Sequence, residues 1–308
     1  MTKTAFLFAG QGAQKRGMAA DLCEAYPLVQ ETFTKAARIL GYDLRDLIDH
    51  DETKLNQTRY TQPAILTTSV AIYRLLQENG FSADMVAGLS LGEYSALVAA
   101  GSLSFEEALV LVAKRGQFME TAAPLGTGKM VAVMNTESSV IEAICRKAAV
   151  KGIVSPANYN TPSQIVIGGE AEAVDYAVEL LKEAGVKRLI PLKVSGPFHT
   201  ALLKPASEQL AAELEHVSFK PFQIPLVGNT EAAVMEASDI KKLLARQVME
   251  PVRFYESIAV MRASGVENFI EIGPGKVLSG FVRKIDKSLS VAHVEDLESF
   301  QSLVSKNK

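Results

Sequence analysis

Gly88-Leu89-Ser90-Leu91-Gly92 sets a serine between two small residues, after the short run Asp84-Met85-Val86-Ala87 and before Leu91, Tyr94, Leu97 and Val98 at helical spacing. A nucleophilic serine has to stand on a sharp strand-to-helix turn, and flanking glycines let the backbone make that turn without clashes. The same pentapeptide also reads as an ordinary glycine turn, so other residues must decide. A serine hydroxyl is a poor nucleophile near neutral pH and needs a base within hydrogen-bond reach and donors for the oxyanion. Of the four histidines, His50 lies in a charged run, His216 at the polar end of a helix and His293 behind an apolar stretch, and all three read as structural. His199, in Ser195-Gly196-Pro197-Phe198-His199 where an apolar strand gives way to a constrained loop, is the candidate base, a structural histidine being the alternative.

Arg115 falls within the helical stretch that starts near Phe105, beside Gly116 and behind the apolar 109–113. A guanidinium there could hold a carboxylate by two parallel bonds, although spacing alone favours an arginine on the solvated face. Gln11, in the glycine loop Gly10-Gln11-Gly12, could offer a backbone N–H to the oxyanion, with a second from Leu91. An ordinary glycine turn explains that loop equally well. A dinucleotide fingerprint is weak, because Lys15 stands where the third glycine belongs.

The elements around these residues alternate as in an α/β protein. A strand 4–9 leads through the glycine loop to helical material reaching Leu40, a helix spans 64–78 after Gln62-Pro63, and a strand leads to Ser90. Between 126 and 197 the order becomes β-α-β-β-α-β, with strands 130–134, 153–157, 164–167 and 188–194 and helices 139–148 and 171–184. The remainder returns to larger α/β material: helix 201–215, a strand near 224–227, helices 238–248 and 254–263, strand 268–272 and a last helix. The expected fold is a large α/β-hydrolase-like domain, 1–126 and 197–308, with an inserted small ferredoxin-like domain, 127–196, and a binding cleft between them.

The chain has 308 residues, 48% of them hydrophobic, enough for a large core. Its net charge of -3, with no basic run interleaved with aromatics, argues against nucleic acid. No apolar stretch approaches a membrane span and the N-terminal run is too short for a signal peptide, so a soluble, cytoplasmic protein is expected. Cys23 and Cys145 lie far apart and suggest neither a disulfide framework nor a zinc site.

Taken together, Phe8-Ala9-Gly10-Gln11-Gly12, Thr61-Gln62-Pro63-Ala64, the Ser90 pentapeptide continued by Glu93-Tyr94, Arg115-Gly116, Asn158-Tyr159-Asn160, Gly196-Pro197-Phe198-His199, Gly228-Asn229-Thr230 and Glu271-Ile272-Gly273-Pro274-Gly275 closely resemble the malonyl-CoA:acyl carrier protein transacylases. The resemblance covers nearly the whole chain. It implies Ser90 as nucleophile, His199 as base, oxyanion N–H groups from Gln11 and Leu91, Arg115 as clamp on the malonyl carboxylate, and the backbone carbonyl of Gln247 orienting the histidine. Gln62 and Asn158 would be further cleft residues. Phe198 looks like the malonyl-selective version of the family, since a bulky ring would crowd an α-methyl branch. Leu89 is a departure, many relatives having histidine there, and it is expected to alter the local network without abolishing the reaction.

The implied activity is ping-pong transfer of malonyl from malonyl-CoA to the phosphopantetheine thiol of acyl carrier protein, through a malonyl-serine and without a metal or redox cofactor. The coenzyme A thioester is the substrate, the chain is expected to be a monomer, and basic residues such as Lys151, Lys187 or Arg188 could attract the acidic carrier. A serine thioesterase or lipase-like hydrolase would use the same nucleophile with water as acceptor. A noncatalytic carrier-binding protein is the other alternative.

Overall fold

A computed structural model of the chain describes residues 2–124, 126–194 and 196–306. Met1 and Lys308, the outer limits of the expected large domain, and Ser195 of the loop before His199 lie outside them. Among the described residues eight strands occur: β1 Lys3–Phe8, β2 Met85–Gly88, β3 Gly128–Met134, β4 Val154–Thr161, β5 Gln164–Glu170, β6 Leu189–Pro191, β7 Val266–Ile272 and β8 Ser290–Val294. They form two sheets, ordered β2-β1-β7-β8 and β4-β5-β3-β6.

The first sheet is parallel throughout. Its strands are apolar on both sides because helices cover both faces. In β1, Phe6 and Phe8 enter one core cluster while Ala5 and Leu7 enter another, and in β7 Ile270 and Ile272 part from Phe269 in the same way, Val266 lying beyond a register shift in the pairing of the two strands. The period of two that sends neighbouring side chains to opposite faces therefore builds two cores from one strand.

Every neighbouring pair in the second sheet is antiparallel. With helices Ser138–Ala148 and Ala171–Glu183 it has the β-α-β-β-α-β order and the strand arrangement of a ferredoxin-like unit. Val131, Val133, Ile165 and Ile167 pack against those two helices. Met130, Ala132, Ala157 and Val166 point the other way, into the core cluster shared with the first sheet. The sequence alternation thus gives the small sheet one private face and one face toward the site.

Several elements differ from expectation. The helix expected from Ala64 runs Thr58–Glu78, with Pro63 inside it. Strand β4 continues past Ala157 to Thr161, since Asn158 and Asn160 are polar for the sake of the cleft and not because the strand ends. Strand β6 stops at Pro191, short of the expected Val194, and Leu192 N–H makes one further bond to Met130 O at 2.9 Å. The expected strand near 224–227 is reduced to bridges, Leu226 pairing parallel with Val86 and Val227 antiparallel with Val234. Beyond helix Val277–Ile285 the chain adds β8 and a helix Leu297–Lys306 where one last helix was expected.

Candidate active site

Ser90 sits between β2 and helix Gly92–Ala99 with φ 54°, a left-handed conformation for a residue with a side chain. The turn closes only because its ends are glycines. A Cβ on Gly88 would stand 1.9 Å from the backbone carbon of Gly92, and one on Gly92 would stand 2.1 Å from the carbonyl oxygen of Phe8. This geometry presents the hydroxyl above the sheet and decides against an ordinary surface turn.

His199 approaches from the chain's return out of the second sheet. It too has a left-handed φ, 60°, and its backbone N–H donates to Val248 O at 3.1 Å. Its Nε2 lies 2.8 Å from Ser90 Oγ and its Nδ1 lies 2.7 Å from the carbonyl oxygen of Gln247. A carbonyl can only accept, so Nδ1 carries the proton and Nε2 is left with a lone pair facing the serine hydroxyl. Burial, and then the positive charge of Arg115, push His199 down to about 4. The imidazole is therefore neutral at physiological pH. His50, by contrast, is exposed beside Asp46.

Arg115 is 1% exposed, which overturns the solvated-face reading of its helix, Phe105–Ala122. A capping box of Ser104 and Glu107 starts that helix. Gly116 lets it press against the start of helix Thr58–Glu78, where a Cβ would come within 2.7 Å of Thr58 O. The close approach brings Gln62 to the guanidinium: Arg115 Nη1 donates to Gln62 Oε1 at 2.9 Å. Nη2 donates to Ser90 Oγ at 3.1 Å and to Gln247 Oε1 at 2.9 Å, and the guanidinium carbon lies 5.3 Å from the centre of the Tyr94 ring.

A cleft of about 320 Å³ opens over Ser90 and His199. Gln11, Leu89, Asn158 and Phe198 line it, with Met130 and Val166 from the second sheet. Gln62 and Arg115 do not. Gln62 is fully buried with its amide oxygen on the guanidinium, and Arg115 meets the cleft through its bond to Ser90 Oγ. Nor do Lys151, Lys187 or Arg188 reach the cleft wall; Lys151 is paired with Glu172, and the lysine on the wall is Lys193.

For oxyanion stabilisation, the N–H of Ser90 is already taken by Asn229 Oδ1 at 2.6 Å. The N–H of Leu91, at the start of helix Gly92–Ala99, makes no hydrogen bond among the described residues. The loop carrying Gln11 is held close by Gly10, whose Cβ would come within 2.4 Å of Leu89 O.

Three participants went unassigned by the sequence reading: Asn229, Glu93 and the side chain of Gln247, whose Nε2 donates to Ser90 O at 3.0 Å. Gly228-Asn229-Thr230 and Glu93 stand in motifs, but a glutamate one turn beyond a nucleophile reads as a surface charge until burial is known. Glu93 is fully buried, and desolvation, against the hydrogen bond from the Asn229 N–H and the charge of Arg115, pushes its carboxyl up to about 7.

A parallel sheet presenting a strained serine to a carbonyl-anchored imidazole defines an α/β enzyme of the serine-nucleophile class. The acyl transferase domain model matches residues 5–304, and the chain belongs to that family. It is 47% identical over 304 residues to the malonyl CoA-acyl carrier protein transacylase of Bacillus subtilis, covering 98% of this chain and 96% of the relative. The crystal structure of an MCAT from Streptococcus pneumoniae superposes with a TM-score of 0.97 at 69% identity, over 99% of this chain and 100% of that one. A malonyl-transacylase solved in complex with a type II PKS acyl-carrier protein superposes with a TM-score of 0.96 at 44% identity, over 99% of this chain and 100% of that one.

Proposed function

We propose that this protein transfers the malonyl group of malonyl-CoA to the phosphopantetheine thiol of acyl carrier protein, in two half-reactions through a malonyl ester of Ser90. The observation that carries this reading is a buried guanidinium in contact with the nucleophile of a Ser90–His199 pair. Among the described residues Arg115 donates only to neutral oxygens, and a carboxylate entering the cleft offers it a charge-assisted pair of bonds instead. A malonyl group places its carboxylate two carbons from its thioester carbonyl, which suits a clamp that sits directly behind the serine.

In the first half-reaction the Ser90 proton passes to His199 Nε2 as Oγ bonds to the thioester carbon. The N–H groups of Leu91 and Gln11 receive the developing oxyanion. The carbon–sulfur bond then breaks and coenzyme A leaves with the proton from His199. In the second, His199 takes the proton of the carrier's thiol, sulfur bonds to the ester carbon, and the bond from that carbon to Ser90 Oγ breaks as Oγ recovers the proton from His199. The Gln247 carbonyl holds the ring in the tautomer both steps require, without adding an anion beside the bound carboxylate.

Phe198, on the cleft wall, crowds an α-methyl branch, so malonyl is preferred over methylmalonyl. Leu89, also on the wall, carries no proton in either step. Residues 1–126 with 197–308 supply the nucleophile, base and clamp, while 127–196 form the smaller unit that walls the cleft. We take the chain to act as a monomer. Among the described residues no helix is long and apolar enough to cross a membrane, and we place the reaction in the cytoplasm.

Mass analysis after brief exposure to malonyl-CoA tests the reading. A malonyl adduct on the Ser90 peptide, discharged on adding holo acyl carrier protein, is the expected result. Rapid release of free malonate without carrier would identify a thioesterase instead, and no adduct would point to a noncatalytic protein.

A further inference from the structure

Asn229 lies beneath the nucleophile turn and is 1% exposed. Its carboxamide spans the turn: Oδ1 accepts the N–H of Ser90 at 2.6 Å, and Nδ2 donates to Gly88 O at 2.6 Å. The backbone of Asn229 is itself gripped on both sides. Its N–H donates to Glu93 Oε2 at 2.8 Å, and its carbonyl accepts from Arg253 N–H at 2.9 Å. The carboxyl of Glu93 belongs to the helix that Ser90 introduces, so turn, helix and the 228–230 loop close into one buried circuit.

That circuit acts where the backbone is least comfortable. A non-glycine residue in the left-handed region is strained, and Ser90 is held there at φ 54°. Buried hydrogen bonds of good geometry offset that strain. Gln247 Nε2 donates to the carbonyl of Ser90, which also accepts the backbone N–H of Glu93 at 3.1 Å, while Asn229 takes the serine N–H, so both backbone polar groups of the serine are occupied. The turn then has Leu91 N–H left to face the reacting carbonyl, and the Oγ direction is set toward His199.

We infer that Asn229 is a positioning residue for Ser90, locking its strained turn so that Oγ meets His199 while Leu91 N–H is reserved for the oxyanion, and that Glu93 positions Asn229. The inference rests on the acyl-transfer reading above. Neither residue touches substrate, so their loss affects turnover more than binding. The bond from Arg115 to Gln62 is independent of both.

The test measures steady-state malonyl transfer with Asn229→Ala, Glu93→Gln and Glu93→Leu in the full chain, with thermal melts to establish folding. Asn229→Ala is expected to lower kcat about 100-fold, the cost of a misplaced reacting group, with KM for malonyl-CoA within about threefold of wild type. The acid limb of its pH profile stays in place, because the ring of His199 keeps its contact with the Gln247 carbonyl. Glu93→Gln keeps an acceptor for the Asn229 N–H and retains at least about tenfold more kcat than Glu93→Leu. A wild-type kcat in Asn229→Ala, or equal losses in the two Glu93 variants, overturns the inference. Should Asn229→Ala fail to fold, the Glu93 pair decides. Absence of a malonyl-serine in the wild-type chain sinks the acyl-transfer reading itself, an outcome separate from any variant.

Discussion

Arg115 joins three roles that are usually spread over several residues. Its guanidinium touches the nucleophile, bonds Gln62 and Gln247, and lowers the proton affinity of His199. A charge-assisted bond to a carboxylate is worth about 1.5–3 kcal/mol, or roughly 10-fold to 150-fold in rate if fully expressed in the transition state. Arg115→Ala should therefore lose malonyl transfer by that factor while acetyl transfer falls much less, as read by kcat/KM for the two thioesters; equal losses would make the residue a support for the fold. The same charge has a consequence in pH. With His199 at about 4, the free enzyme keeps its base form through the physiological range, and kcat/KM should stay level from pH 8 to about 5 before falling in more acid solution. Removing Arg115 relieves the repulsion, raises the affinity of His199 for its proton and moves the acid limb to higher pH. A limb near the ordinary histidine value in the wild type would contradict the burial of this ring.

Helix packing and strand turns set where those residues stand, and small residues decide both. Gly88 and Gly92 admit the turn, Gly116 admits the contact between helices Phe105–Ala122 and Thr58–Glu78, and Gly10 admits the loop carrying Gln11. Gly92→Ala would drive a methyl group to 2.1 Å from a backbone oxygen of β1, which cannot retreat without breaking the sheet. Overpacking of this kind costs about 3 kcal/mol, so the melting temperature of a chain of this length should drop by about 5 °C. Gly280 provides the contrast. It lies inside helix Val277–Ile285 with no atom within 4 Å of an added Cβ, and Gly280→Ala should leave the melt unchanged or raise it, since alanine is the better helix former by about 1 kcal/mol. A comparable loss at both positions would mean that glycine's flexibility, and not the space around it, is what the fold requires.

At the scale of the whole molecule, the two sheets meet over the site, and the carrier must reach it through the cleft. Lys193 is the exposed cation on that wall. Lys193→Glu should slow discharge of the malonyl-enzyme by an acidic carrier about tenfold at low salt, with the gap to wild type closing at high ionic strength, as stopped-flow mixing would show. A gap unchanged by salt would assign Lys193 a packing role. Much of this architecture was legible beforehand. The alternation of strands and helices, the change of order between 126 and 197, the glycine-flanked Ser90 and the loop before His199 are local patterns, because period and turn chemistry act over a few residues. Pro63 and the polar end of β4 misled the reading, since each departs from local preference for a reason that lies across the molecule. Ser90 and His199 are 109 positions apart in sequence, and nothing local states that they stand 2.8 Å from one another. The burial of Arg115 and Glu93, the retreat of Gln62 from the cleft and the grip of Asn229 on the turn were likewise decided by tertiary structure alone. Whether a charge is solvated or enclosed depends on what folds over it, and residue order does not carry that information by itself.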